Sequence, residues 1–187
     1  RKVLQLLSVV VVGIAVALML ISPELVLIFG SPKYREAVYV IPPVAASVFF
    51  IFIYNILSMP QFYYEKTQFL MVASMAAAGA NVVLNFIFIR LFGYIAAGYT
   101  TLACYMLYSV GHYIVSKRIL VNEGIQENLM NPGFLLACSV FLIGASIICN
   151  LIFPYRILRY AILLASAGLV FWKKELLLKT MADIRKK

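Results

Sequence analysis

The sequence predicts an all-α polytopic membrane protein of about six transmembrane helices. Six long apolar runs without one acidic residue fill most of its 187 residues, and 64% of the chain is hydrophobic. Charged residues make up only 12%, against about 25% in soluble domains. A surface this apolar is one that water cannot solvate. The mean hydropathy of +0.98 agrees.

A helix rises about 1.5 Å per residue, so roughly 20 mostly apolar residues cross a hydrocarbon layer about 30 Å thick. Five runs meet that length: Val3 to Ile21, Ala37 to Met59, Phe69 to Ile89, Tyr94 to Val115 and Phe134 to Ile152. The sixth, Ile157 to Trp172, is shorter and carries Arg159 in its first turn. It spans only if that side chain snorkels or the bilayer thins locally; a tilted or re-entrant segment is the other reading. Barrel strands are about ten residues of alternating polarity, and these runs show no period of two.

Lysine and arginine are distributed unequally between the two sides. Arg1, Lys2, Lys66, Lys117, Arg118 and the six basic residues after Trp172 fall on the side holding both termini, against Lys33, Arg35, Arg90, Arg156 and Arg159 opposite. By the positive-inside rule both ends are cytoplasmic and the chain is a multi-pass membrane protein. The net charge of +9 is explained by this topology, and no basic patch interleaved with aromatics points to nucleic acid. The chain opens on Arg1-Lys2 and reads as a piece of a longer one.

Four organisational blocks follow. Residues 1–118 form a four-helix part and 119–133 belong to a cytoplasmic connection, taken as starting at Ser116 and broken by Asn122, Gly124, Asn128, Asn131, Pro132 and Gly133. Residues 134–172 form a final helix pair and 173–187 a basic cytoplasmic tail. In that tail Leu177, Met181 and Ile184 share one helical face among cations. It reads either as lying along anionic inner-leaflet lipids or as a solvated helical extension.

Polar residues inside the spans are the candidate functional groups. Ser74, Ala77, Ala78, Asn81 and Asn85 recur every three or four residues, which places them on one helical face. Exposing an amide to hydrocarbon is costly, so that face must meet protein or water. It reads as helix packing or as cavity lining. Thr101, Tyr108 and His112 follow the same spacing in the fourth run, with Ala97 and either Cys104 or Tyr105. In the second run Ser47, Tyr54, Asn55 and Ser58 do likewise. Three semi-polar faces suggest one shared aqueous cavity, with Asn55, Asn81, Asn85, Thr101 and Tyr108 as its lining. Tyr94, Tyr99 and Tyr113 read instead as interface-belt tyrosines.

Catalysis and metal binding find no support. His112 is the only histidine and no Asp or Glu lies within a run, so neither a ligand set nor an acid–base pair is assembled. No cofactor is implied. Cys104, Cys138 and Cys149 all lie inside apolar runs and read as small core residues. Tyr63-Tyr64-Glu65-Lys66-Thr67 forms a short cytoplasmic turn. That turn and Pro23-Glu24 read as helix caps and headgroup contacts.

Several of these motifs occur in a telling order: Ser22-Pro23-Glu24 with Phe29-Gly30 and Tyr34, then Tyr64-Glu65-Lys66-Thr67, then Asn81-Val-Val-Leu-Asn85, then Phe92-Gly93-Tyr-Ile-Ala96-Ala97-Gly98. Over residues 1–118 this order resembles the C-terminal half of the lipid-linked oligosaccharide flippases, in the multidrug, oligosaccharidyl-lipid and polysaccharide exporter superfamily. The resemblance implies the C-terminal lobe of a fourteen-helix, two-lobe transporter, helices nine to fourteen. It implies an undecaprenyl-diphosphate-linked oligosaccharide as substrate, moved between leaflets by alternating access, with an N-terminal lobe as partner. The family's cationic cavity residues have no counterpart here, because no Lys or Arg lies mid-span. Two other readings stay open: a drug antiporter of the same superfamily, which would want an intramembrane carboxylate, and a non-transporting membrane assembly subunit.

Overall fold

The computed structural model describes residues 2–126 and 129–172. The basic tail 173–187, with its lipid-facing expectation, lies outside the described residues, as do Arg1 and the breaker Asn128. Six α-helices follow in order: α1 Lys2–Phe29, α2 Ile41–Tyr63, α3 Gln68–Phe92, α4 Ala96–Asn122, α5 Pro132–Ile152 and α6 Arg156–Trp172. A 3-10 segment, Pro32–Val40, joins the first two. Among the described residues there is no strand.

α1 runs eight residues past the expected end at Ile21, through Pro23. Proline lacks the N–H that would bond the carbonyl four residues back, that of Met19. The Ser22 hydroxyl donates to that carbonyl at 2.8 Å and takes up the freed acceptor. The same logic governs α2. Pro42 and Pro43 stand at its first positions, where no intrahelical N–H is needed, and the Tyr39 carbonyl that Pro43 cannot bond accepts from Asn150 Nδ2 of α5 at 3.3 Å.

Helix ends are set by local chemistry. Glu65 adopts φ 56° just past α2, Lys66 N–H bonds the Gln61 carbonyl at 2.8 Å and Glu65 N–H the Phe62 carbonyl at 3.1 Å. This is a Schellman stop with glutamate where glycine is favoured. At the end of α4, Gly124 supplies the same conformation with φ 78°. Its pair of bonds, Ile125 N–H to Leu120 O and Gly124 N–H to Val121 O, closes that helix. The helix therefore occupies Ser116 to Asn122, which the sequence reading assigned to the connection. α5 is capped by Asn131, whose Oδ1 accepts from Gly133 N–H at 2.9 Å.

α2 is the central element, packed against α1, α4 and α5. Met19, Ala46, Phe49, Ile53, Leu57, Leu102 and Leu142 meet there as the core. α3 leans chiefly on α4 and none of its residues is buried. α6 touches α1 and α5. Among the described residues, four stretches are long and apolar enough to cross a membrane: Lys2–Phe29, Lys33–Tyr63, Gln68–Phe92 and Pro132–Ile152. α4 and α6 were expected to make six. The first is rich in Tyr, Thr and Ser; the second has 17 residues.

Arg159 neither snorkels nor faces lipid. It is 1% exposed and its Nη2 lies 2.5 Å from Glu24 Oε1 of α1. Pro23-Glu24 therefore does more than cap a span: it supplies the partner of a cation on another helix. Cys104 and Cys149 are buried, Cys138 is half-buried, and all three are free thiols.

Candidate functional site

The semi-polar faces of α3 and α4 meet around a cavity of about 450 Å³, closed on one side by Tyr54 of α2. Ser74, Ala78 and Asn81 line it from α3, and Thr101, Tyr105 and Tyr108 from α4. Small residues at Ala77 and Ala78 leave the space; hydroxyls and one amide give it polarity. The 3.6-residue period produces this directly, since each lining set recurs every three or four positions.

Tyrosines form one wall. The Tyr54 ring lies 4.7 Å from Tyr108 and nearly parallel to Tyr105 at 6.4 Å. Tyr108 in turn meets the His112 ring edge to face at 4.5 Å. Such tilted and edge-to-face pairs hold aromatic groups in fixed orientation.

Beyond that wall lies a buried polar cluster. His112 is fully buried with Nδ1 2.8 Å from Gln61 Nε2 of α2. The amide donates there, so Nδ1 is the acceptor and Nε2 carries the hydrogen. Gln61 Nε2 also reaches Ser116 Oγ at 3.3 Å, and the Ser116 hydroxyl donates to the Leu57 carbonyl. Phe69 of α3 covers the ring at 5.3 Å. His112 Nε2 and Gln61 Oε1 find no partner among the described residues.

The sequence-derived candidates separate into three groups. Asn81, Thr101 and Tyr108 line the cavity. Asn85 sits one turn below it, donating to Asn81 Oδ1 at 2.9 Å and accepting from Thr100 Oγ1 at 2.5 Å. Asn55 stands outside it, exposed on α2, with its amide donated to the Ile51 carbonyl at 2.8 Å. Tyr64 and Lys66 lie in the α2–α3 turn: Tyr64 packs edge to face on Tyr63 at 4.9 Å, and Lys66 Nζ pairs with Glu123 at 3.1 Å.

Two participants were not singled out from sequence. Gln61 fell just past the expected end of the second run, although an amide beside Pro60 in an apolar segment is itself a signal. Thr100 adjoins the expected Thr101, and one position changes the helical face by about 100°. Among the described residues no three His, Cys, Asp or Glu side chains gather to hold a metal ion. Compared with known proteins, the chain matches no family model, no curated protein and no solved structure.

Proposed function

We propose that the chain is the C-terminal lobe of a lipid-linked oligosaccharide flippase, with six membrane spans and both ends in the cytoplasm. The observation that carries this reading is the cavity itself: the semi-polar faces of α3 and α4, with Tyr54 of α2, line about 450 Å³ of space. An oligosaccharide offers hydroxyls and ring faces, which amides, hydroxyls and tyrosine rings recognise through hydrogen bonds and stacking. Asn81, Thr101 and Tyr108 would contact the glycan, with Asn85 holding Asn81 in place. A drug antiporter would need an ionisable coupling group in this cavity, and its lining has no carboxylate.

In a two-lobe transporter the substrate path lies between the halves. This lobe supplies one wall, and a partner lobe supplies the cations that hold the diphosphate. Deleting the gene in its source organism tests the function. Loss of surface polysaccharide with build-up of the undecaprenyl-diphosphate-linked precursor is expected, and restoration by the wild-type gene but not by one carrying Asn81→Leu and Tyr108→Ala. Unchanged surface glycan with increased drug sensitivity would replace this reading with the antiporter. No change in either would leave the assembly-subunit reading in its place.

A further inference from the structure

The membrane end formed by the last turns of α1 and the first turn of α6 holds a second cavity, of about 360 Å³, lined by Glu24, Tyr39, Arg156, Arg159 and Tyr160. Two of its properties exceed what an ion pair between helices requires. Arg159 uses Nη2 on Glu24, yet its Nε and Nη1 find no acceptor among the described residues although they are buried. Arg156, one turn earlier, is exposed and also lines the cavity, so two guanidinium groups face one carboxylate there.

The carboxylate is itself shared. Glu24 Oε1 accepts from Tyr160 OH at 2.6 Å as well as from Arg159, while Oε2 is buried without a donor. The lining keeps a net positive charge, and α6 begins at this cavity with the positive end of its dipole. Guanidinium donors in a fixed fork match phosphate oxygens. Around the cavity the surface is apolar: Leu27 and Ile157 are 66% and 88% exposed. In a membrane protein such a rim meets acyl chains. α1 rises about 33 Å between Lys2 and Glu24 at 1.5 Å per residue, which brings the cavity to headgroup depth.

We infer that this cavity binds a phosphate ester, the phosphodiester of an anionic lipid headgroup, between Arg156 and the free donors of Arg159. The phosphate oxygens accept from Arg159 Nε and Nη1 and from Arg156, and the acyl chains lie against Leu27 and Ile157. Glu24 keeps the Arg159 guanidinium oriented and leaves two of its donors without an acceptor. The site does not depend on what the larger cavity carries.

Thermal unfolding of the purified chain in a neutral detergent provides the test, with added phosphatidylglycerol, phosphatidylcholine or inorganic phosphate. Phosphatidylglycerol should raise Tm saturably by a few degrees while phosphatidylcholine does not. Arg156→Ala, which leaves the buried pair intact, should abolish most of that rise, whereas Arg90→Ala, an equal loss of charge elsewhere, should keep it. A rise with inorganic phosphate that also needs Arg156 would support the site and assign it to a free anion. Equal responses from wild type and Arg156→Ala, or no response to either phosphate source, would overturn the inference.

Discussion

Thr100 Oγ1 donates to Asn85 Oδ1 at 2.5 Å, and Asn85 Nδ2 donates onward to Asn81 Oδ1 at 2.9 Å. The first of these bonds ties α4 to α3, and the second holds Asn85 in place within α3. α3 has no buried residue, and between apolar helices in lipid there is little hydrophobic drive, so such bonds and close packing carry the association. A double-mutant cycle on Asn85→Ala and Thr100→Val should give a coupling of about 0.6 kcal/mol. Unfolding in mixed micelles measures it. Strictly additive losses would show that the two side chains do not act together.

Glu24 and Arg159 are 135 residues apart in sequence and tie α6 to α1. Removing one partner leaves a buried charge alone, a loss of about 3–5 kcal/mol for fully buried pairs. The Glu24 side chain is 30% exposed, so Glu24→Ala should destabilise toward the low end of that range. Replacing both, with Glu24→Leu and Arg159→Met, should recover most of the loss. Denaturation of the three variants separates the cases, and a double variant as weak as Glu24→Ala would refute the charge argument.

The number and approximate placement of the helices were legible because each apolar run is bounded by Pro, Gly or charge. Two kinds of feature were not. α1 continues through Pro23 because Ser22 supplies the missing hydrogen bond, a compensation that proline statistics hide. Arg159 looked like a cation needing water because its acid lies on another helix, and a single sequence carries no record of that pairing. For the larger cavity, periodicity gave the lining faces of α3 and α4. Asn55 does not line it although it adjoins Tyr54, because adjacent helical positions face different ways.

Gly98 of α4 packs tightly against the start of α2. A Cβ there would lie 2.7 Å from Pro43 Cγ and 2.9 Å from the Val40 carbonyl oxygen, and neither a proline ring nor backbone can swing away. Gly98→Ala should therefore destabilise by about 1–3 kcal/mol through overpacking. Gly79→Ala meets nothing within 4 Å and should be neutral or slightly stabilising. Comparing the two Tm values checks the claim; equal shifts would contradict it.

Glu65 holds a left-handed backbone at φ 56°, a conformation that costs a non-glycine residue roughly 1–2 kcal/mol. Glu65→Gly should stabilise the α2–α3 turn by about 1 kcal/mol, reduced by the extra freedom glycine gains when unfolded. Its neighbour offers a contrast. The Lys66–Glu123 pair is solvent-exposed on both sides, so Glu123→Gln should change stability by less than about 1 kcal/mol. A larger effect from Glu123 than from Glu65 would reverse this ranking.

Water access distinguishes a working cavity from a packing defect at the α3–α4 interface. Asn81 is half-buried and lines the space, whereas Val83, two residues on, is 56% exposed on another face of the same helix. If the cavity holds water, a thiol at position 81 ionises and reacts with a charged, membrane-impermeant maleimide. A thiol at 83 faces acyl chains and reacts only with a lipid-soluble reagent. The native thiol of Cys104 also lines the cavity, so Asn81→Cys, Thr101→Cys and Val83→Cys are best made in a chain carrying Cys104→Ala. Charged maleimide should label positions 81 and 101 several times faster than 83, and that difference should shrink when a soluble oligosaccharide is present. Equal labelling at 81 and 83 by the lipid-soluble reagent, with none by the charged one, would make the polar face a dry packing seam and remove the basis for a glycan path.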